Sequence, residues 1–261
     1  MKAIKITLAT LLAVTALPSL AQTAAPAAPE PEWSLTGNLG IFSDYRFRGI
    51  SQTNKNPAIQ GGVDFAMKNG IYLGNWNSNV DSAMYNGANI EMDFYGGWKA
   101  NFGDFGLDIG GIYYYYPGSG APGTAYKIDN GELYIGGTWG PLALKYSYAL
   151  TDFFGVPGTK GAYYVVLSGA HDFGNGFGLN ASVGYQGGLK SGDNGYTSCV
   201  TEFGGNVACS ITDYKLGGTY TIDGWVLGLA YVSTNRDIPG YTDSSKNISN
   251  GTALVSVTKS F

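Results

Sequence analysis

Three groups of residues in this chain of 261 have side chains suited to chemistry: one histidine, two cysteines, and a set of charges at every second position of several segments. A histidine can act as a base beside a serine or aspartate. His171, however, opens the run "HDFGNG", whose Asp, Asn and Gly are turn formers, so it reads as a solvated turn residue. No catalytic residue is assigned. Cys199 and Cys209 bracket "CVTEFGGNVAC" with nine residues between them. Two thiols without a nearby histidine are too few for a zinc site. In an exported chain they suit a disulfide, which would close a small loop and stabilise it by about 3 kcal/mol in the chain-entropy model. Glycine runs such as "GSGAPG" lack the strand–loop–helix setting of a phosphate loop. Neither a metal nor a cofactor is expected.

The charges are more informative. Asp44, Arg46, Arg48, Asp64, Glu91, Asp93, Asp108, Glu132, Lys145, Asp213 and Lys215 all fall on the polar face of alternating segments. Ionisable groups at membrane depth must face water or a partner. Two readings follow. Acids and bases could pair across a narrow, plugged interior, or they could line a wet channel and set its ion preference. The glycines and small residues on the same face leave space, which favours the channel.

The segments carrying these residues read as strands. In "WSLTGNLGIFSDYRFRG", Trp33, Leu35, Leu39, Ile41, Tyr45 and Phe47 share one face, and Ser34, Thr36, Asn38, Asp44, Arg46 and Arg48 the other; Phe42 and Ser43 are the misfits. A period of two over this length suits a tilted membrane strand of about 9–11 residues with an extension beyond the bilayer. Further segments alternate likewise; in residues 71–80, Tyr72, Trp76 and Val80 are set against Leu73, Asn75, Asn77 and Asn79. About twelve strands result, an even number. Short turns, such as the "IDGW" hairpin whose Asp223-Gly224 pair suits a type I′ turn, interleave with longer loops. The pattern predicts an all-β fold, a closed antiparallel up-and-down transmembrane barrel with both termini periplasmic.

Composition agrees. Glycine reaches 41 residues and tyrosine 20, against 13% charged residues, with a mean hydropathy of −0.04. Few helix formers and many aromatics argue against an all-helical protein. The formal net charge of −4 offers no electrostatic footprint for nucleic acid. Residues 1–21 read as a signal peptide, with Lys2 and Lys5, an apolar core "ITLATLLAVTAL" and the cleavage-site residues "SLA". Its removal takes two lysines and no acid, so the charge moves from −4 to −6. Residues 22–32, "QTAAPAAPEPE", read as a flexible leader, leaving 33–261 as the barrel domain.

With short turns on the periplasmic side, Trp33, Trp98, Phe105, Trp139, Trp225 and Phe261 gather at that end. Tyr45, Phe47, Tyr113, Tyr115, Tyr146, Tyr148, Tyr185 and Tyr231 gather at the other. Those are two interfacial aromatic girdles in contact with outer-membrane lipid. A last strand ending in Phe261 resembles the terminal signal read by the barrel assembly machinery; Lys259 departs from it, though a lysine there can snorkel.

The runs "SDYRFRGISQT", "GGVDF", "GIYLGNWNSNVD" and "IEMDFYGGW" resemble the TorF porin family, with the likeness extending from about Trp33 to Phe261. The resemblance implies an outer-membrane barrel passing small solutes and transfers no catalytic or cofactor residue. The expected function is a channel for small hydrophilic solutes or ions in the outer membrane of a Gram-negative bacterium. The alternative is a non-conducting barrel whose extracellular loops bind a partner.

Overall fold

The computed structural model describes residues 31–120, 127–189, 210–240 and 245–261. Twelve strands close an antiparallel barrel: β1 (Trp33–Phe42), β4 (Ala58–Met67), β5 (Ile71–Asn79), β6 (Ile90–Phe102), β7 (Phe105–Tyr115), β8 (Asn130–Trp139), β9 (Leu142–Ala149), β10 (Tyr163–Gly174), β11 (Phe177–Gly187), β12 (Ile211–Ile222), β13 (Trp225–Thr234) and β14 (Thr252–Ser260). Each strand pairs with its neighbours in sequence, and β1 closes on β14. Two short strands, β2 (Arg46–Phe47) and β3 (Ile50–Ser51), form a separate hairpin between β1 and β4. Closure gives every wall strand a neighbour on both sides, so its backbone groups bond across the shared registers without water.

Alternation sorts the side chains. Leu35, Leu39, Ile41, Leu73, Leu133, Leu144, Leu216 and Leu229 stand exposed on the outside, a surface that water would penalise and acyl chains accept. Tyr72, Trp76, Tyr95, Tyr114 and Tyr134 are buried inside. The tight connections follow local chemistry. Asp223 and Gly224 both take positive φ, 50° and 75°, as do Asn175 and Gly176 at 52° and 84°. This is the type I′ geometry that matches strand twist.

At the short-turn end Trp33, Trp98, Phe105, Trp139, Trp225 and Phe261, the residues expected to form a girdle, are exposed. Phe102, Phe173 and Phe177 join them. Phe261 also fastens the seam. Its N–H donates to the Gly37 carbonyl (2.9 Å) and its carbonyl accepts from the Gly37 N–H (2.7 Å). The ring lies where a Cβ on residue 37 would approach it to 2.6 Å, so glycine is what lets the ring lie flat on β1. Lys259 reaches the Asp223 carbonyl at the turn (3.3 Å) and stacks over Trp225.

Three expectations need correction. First, β1 stops at Phe42 instead of running through Arg48. Residues 43–57 leave the wall and fold inward, so Tyr45 is buried and Phe47 packs against the interior cluster, and neither joins the outer girdle. The misfits Phe42 and Ser43 mark that departure: Phe42 points inward, and Ser43 binds β14 through Val255 by backbone and hydroxyl. Second, the faces of β5 are the reverse of expectation. Tyr72, Trp76 and Val80 point inward, and Ile71 and Leu73 point outward. Third, β10 continues to Gly174, placing His171 on a strand, exposed and edge-on to Phe173 at 4.7 Å between ring centroids. The signal peptide, most of the leader and the Cys199–Cys209 loop lie outside the described residues.

Candidate functional site in the barrel interior

The inward segment 43–57 is the feature that organises the interior. It turns sharply at Arg48 and Gly49, both at positive φ (47° and 81°). A side chain at residue 49 would meet Thr234 Cγ2 at 2.4 Å and Asp213 Cβ at 2.7 Å, so only glycine permits this approach to the wall. Asp44 ties the segment to itself, accepting from Arg46 Nε (2.6 Å), Ser51 Oγ (2.5 Å) and Thr53 Oγ1 (3.1 Å). Arg46 also donates to the carbonyls of Gly49 (3.0 Å) and Ile248 (2.9 Å) and to Thr252 Oγ1 (2.8 Å).

Arg48 reaches the far wall. One terminal nitrogen donates to both oxygens of Glu132 on β8, at 2.8 and 2.7 Å, and the other to Gln186 Oε1 on β11 at 2.5 Å. Phe47 and Tyr164 cover the guanidinium at 4.7 and 4.4 Å. Burial opposes the Arg48 charge, but Glu132 outweighs it and its pKa lies above the ordinary arginine value. The segment thus spans the interior and is clamped on the opposite side by a bidentate charge pair.

Tyrosines hold most of the remaining acids. Tyr45 and Tyr116 each donate to Glu91 at 2.9 Å. Burial and the adjacent Glu91 push both phenols well up, so they stay protonated donors. Tyr95 donates to Asp64 (2.6 Å), Tyr72 to Asp108 (2.6 Å) and Tyr164 to Asp213 (2.8 Å). Lys99 approaches Asp108 at 3.9 Å. Asp93 is 1% exposed, and its Oδ1 has no hydrogen-bond partner among the described residues. Lys145 sits 3.7 Å over the Tyr134 ring. Neither Lys145 nor Lys215 forms an ion pair among the described residues.

All eight predicted strand residues from Asp64 to Lys215 therefore face the interior, and Asp44, Arg46 and Arg48 reach it on the inward segment. They do not form one ring. Arg48 and Glu132 meet, and Asp44 and Arg46 meet, while Lys145 and Lys215 stand apart. The sequence reading missed Gln186 and the tyrosine donors. The signal for the tyrosines was present in their positions two residues from an acid, or opposite one, on the polar face, as with Tyr95 beside Asp93 and Tyr114 opposite it.

The interior is lopsided. Trp76 and the tyrosines of β5–β8 fill one side. On β11–β14 the inward positions carry mostly small side chains, Asn180, Ser182, Gly217, Thr219, Ala230 and Ser256, together with Asp213, Val232 and Leu254. Hydroxyl and amide groups there are interspersed with these apolar side chains and with Lys215. No group of three or more metal-ligating side chains occurs among the described residues. His171 faces outward, away from this network.

Comparison with solved structures finds a similar barrel in proteins described as porins. The KdgM porin superposes with a TM-score of 0.52 at 10% identity, over 87% of this chain and 99% of that one. A second structure, the KdgM porin in complex with disordered oligogalacturonate, gives 0.52 at 11% identity over 87% and 98%. The NanC porin gives 0.49 at 10% identity over 87% and 99%. At such identities the KdgM likeness shows a shared barrel fold. A search of the curated proteins finds no match. Residues 24–261 match the family described as "Bacterial protein of unknown function (Gcw_chp)", and with nearly the whole chain covered this protein belongs to that family.

Proposed function

We propose that this protein is a channel in the outer membrane of a Gram-negative bacterium, passing small hydrophilic solutes or ions. The observation that carries the reading is the inversion of faces: an apolar outer wall around an interior of charges, hydroxyls and amides. A barrel with that polarity is at home only with lipid outside and water or polar side chains inside. The signal peptide at 1–21, the leader at 22–32 and the resemblance to the TorF porins support export and insertion of the 33–261 barrel.

Passage in this reading follows the β11–β14 wall, where inward side chains are mostly small, past Lys215 and beside segment 43–57. Swelling of proteoliposomes in neutral sugars of increasing size tests it. Uptake of small sugars with a size cut-off is expected, and impermeability to all of them from folded protein would end the reading.

One observation favours a second reading. The clamped segment reaches across the interior to Glu132 and Gln186, and a plug of this kind suits a non-conducting barrel that displays its loops to a partner. The same proteoliposomes separate the two.

A further inference from the structure

At the long-loop end, the inward segment and the surrounding loops enclose a cavity of about 200 Å³. Most of its lining is apolar: Phe47 and Ile50 from the segment, Phe154 from the 150–162 loop, and Ile128, Ile238 and Ile248. Ile238 and Ile248 are almost wholly buried and pack with Ile211. This aliphatic lining contrasts with the charges, hydroxyls and amides that occupy much of the barrel interior.

Arg48, Gln52, Tyr85, Asn86 and Gln186 supply the polar part of the lining, and the Gln52 and Gln186 amides and the Arg48 guanidinium are largely committed elsewhere. Gln52 donates to the Ile50 carbonyl (2.7 Å) and accepts from the Tyr85 hydroxyl. Gln186 accepts from Arg48 and donates to the carbonyls of Tyr163 (3.0 Å) and Gly187 (3.2 Å). Both terminal nitrogens of Arg48 are occupied, and its Nε–H has no acceptor among the described residues. A sugar placed here would lose hydrogen bonds to water with few to replace them. An apolar body would not, and a cavity of about 150 Å³ lined by Leu, Ile and Phe already accepts one benzene ring.

We infer that this cavity is a binding site for a small, mainly apolar organic molecule, one ring or one branched chain in size, carrying a single acceptor oxygen for Arg48 Nε. The inference goes beyond the channel reading and does not depend on current flow. The apolar walls hold the body, and the one unmatched donor fixes its orientation.

The test is equilibrium dialysis of the protein in lipid nanodiscs against labelled acetophenone, toluene and glycerol, with protein-free nanodiscs subtracted for partitioning. Acetophenone should bind saturably at one site, toluene about tenfold more weakly for want of the acceptor, and glycerol not at all. Filling the cavity from either side, with Val156→Trp on the loop or Ile50→Trp on the segment, should weaken acetophenone binding at least tenfold. Leu229→Ala on the outer wall should leave it unchanged. Heat-modifiable gel mobility checks that each variant is folded. Non-saturable uptake, or equal affinity in both folded filling variants, overturns the site. Equal affinity for toluene overturns the acceptor, and glycerol binding overturns the apolar character. Currents from the same preparations separate the two proposals. Conduction without saturable binding overturns this inference alone, whereas binding by a non-conducting barrel supports it and overturns the channel.

Discussion

Arg48→Gln should release segment 43–57 from the far wall and open the barrel. The wild-type side chains of Arg48 and Glu132 are 8% and 2% exposed and lie 2.7 Å apart. Removing one member of such a buried pair costs about 3–5 kcal/mol, mostly because the survivor is left desolvated and unpaired. Undocking the segment lets water reach Glu132, so much of that cost falls on the docked state. At 1.4 kcal/mol per decade, even 3 kcal/mol multiplies the undocked fraction about a hundredfold. The geometry makes this visible. Twelve strands about 4.8 Å apart and tilted by about 40° give a backbone diameter of about 24 Å, which the segment crosses from the end of β1 to β8 and β11. Single-channel conductance in planar bilayers should rise roughly twofold or more, and reversal potential should move toward cations because Glu132 loses its partner. The double variant Arg48→Met with Glu132→Met should conduct as Arg48→Gln does but without that cation shift, since both charges are gone. Folded Arg48→Gln barrels at wild-type conductance would refute the clamp.

Other predictions follow from the same contacts. Neutralising Lys145 and Lys215 together should shift reversal potential toward cations, more strongly at low salt; an unchanged potential would remove both lysines from the path. Deleting Phe261 removes its backbone bonds to Gly37 and the ring over it. The amount of folded barrel in outer-membrane fractions should fall several-fold, while protein already inserted keeps its heat-modifiable mobility. Leu229→Arg, at an outward position in the middle of β13 that is 61% exposed, should cost about 2–4 kcal/mol of folding free energy in lipid. Denaturant titration in vesicles measures it, and an unchanged midpoint would mean that this face does not meet acyl chains.

The barrel was legible because a lipid-facing strand must alternate. Leu39, Ile41 and, two steps before them, Leu35 have no other reason to share one parity along the chain, and turns such as Asp223-Gly224 punctuate the pattern. Alternation failed where burial exists on both sides of the wall. On β5, Tyr72 and Trp76 are as apolar as lipid-facing residues, but they fill the interior, and nothing in the local period separates the two destinations. It failed again at Ser43, where the polar and apolar pattern of β1 continues through "DYRFRG" although the chain has left the sheet. There, Gly49 against β12 and β13 and the charge pair Arg48–Glu132 govern the path, and both are contacts between residues distant in sequence. The interior charges were legible as a set, whereas their pairing depended on that fold-back. The apolar cavity had no local signal, since Ile50, Ile128 and the pair Ile238 and Ile248 come from three separate connections.

The central claim is a water-filled path through a folded barrel, and planar-bilayer recording of the purified wild-type protein tests it most directly. The account predicts discrete, uniform current steps at the addition of folded protein, abolished when the same protein is denatured beforehand. Silent bilayers, with folded insertion shown by heat-modifiable mobility in the same vesicles, would contradict it.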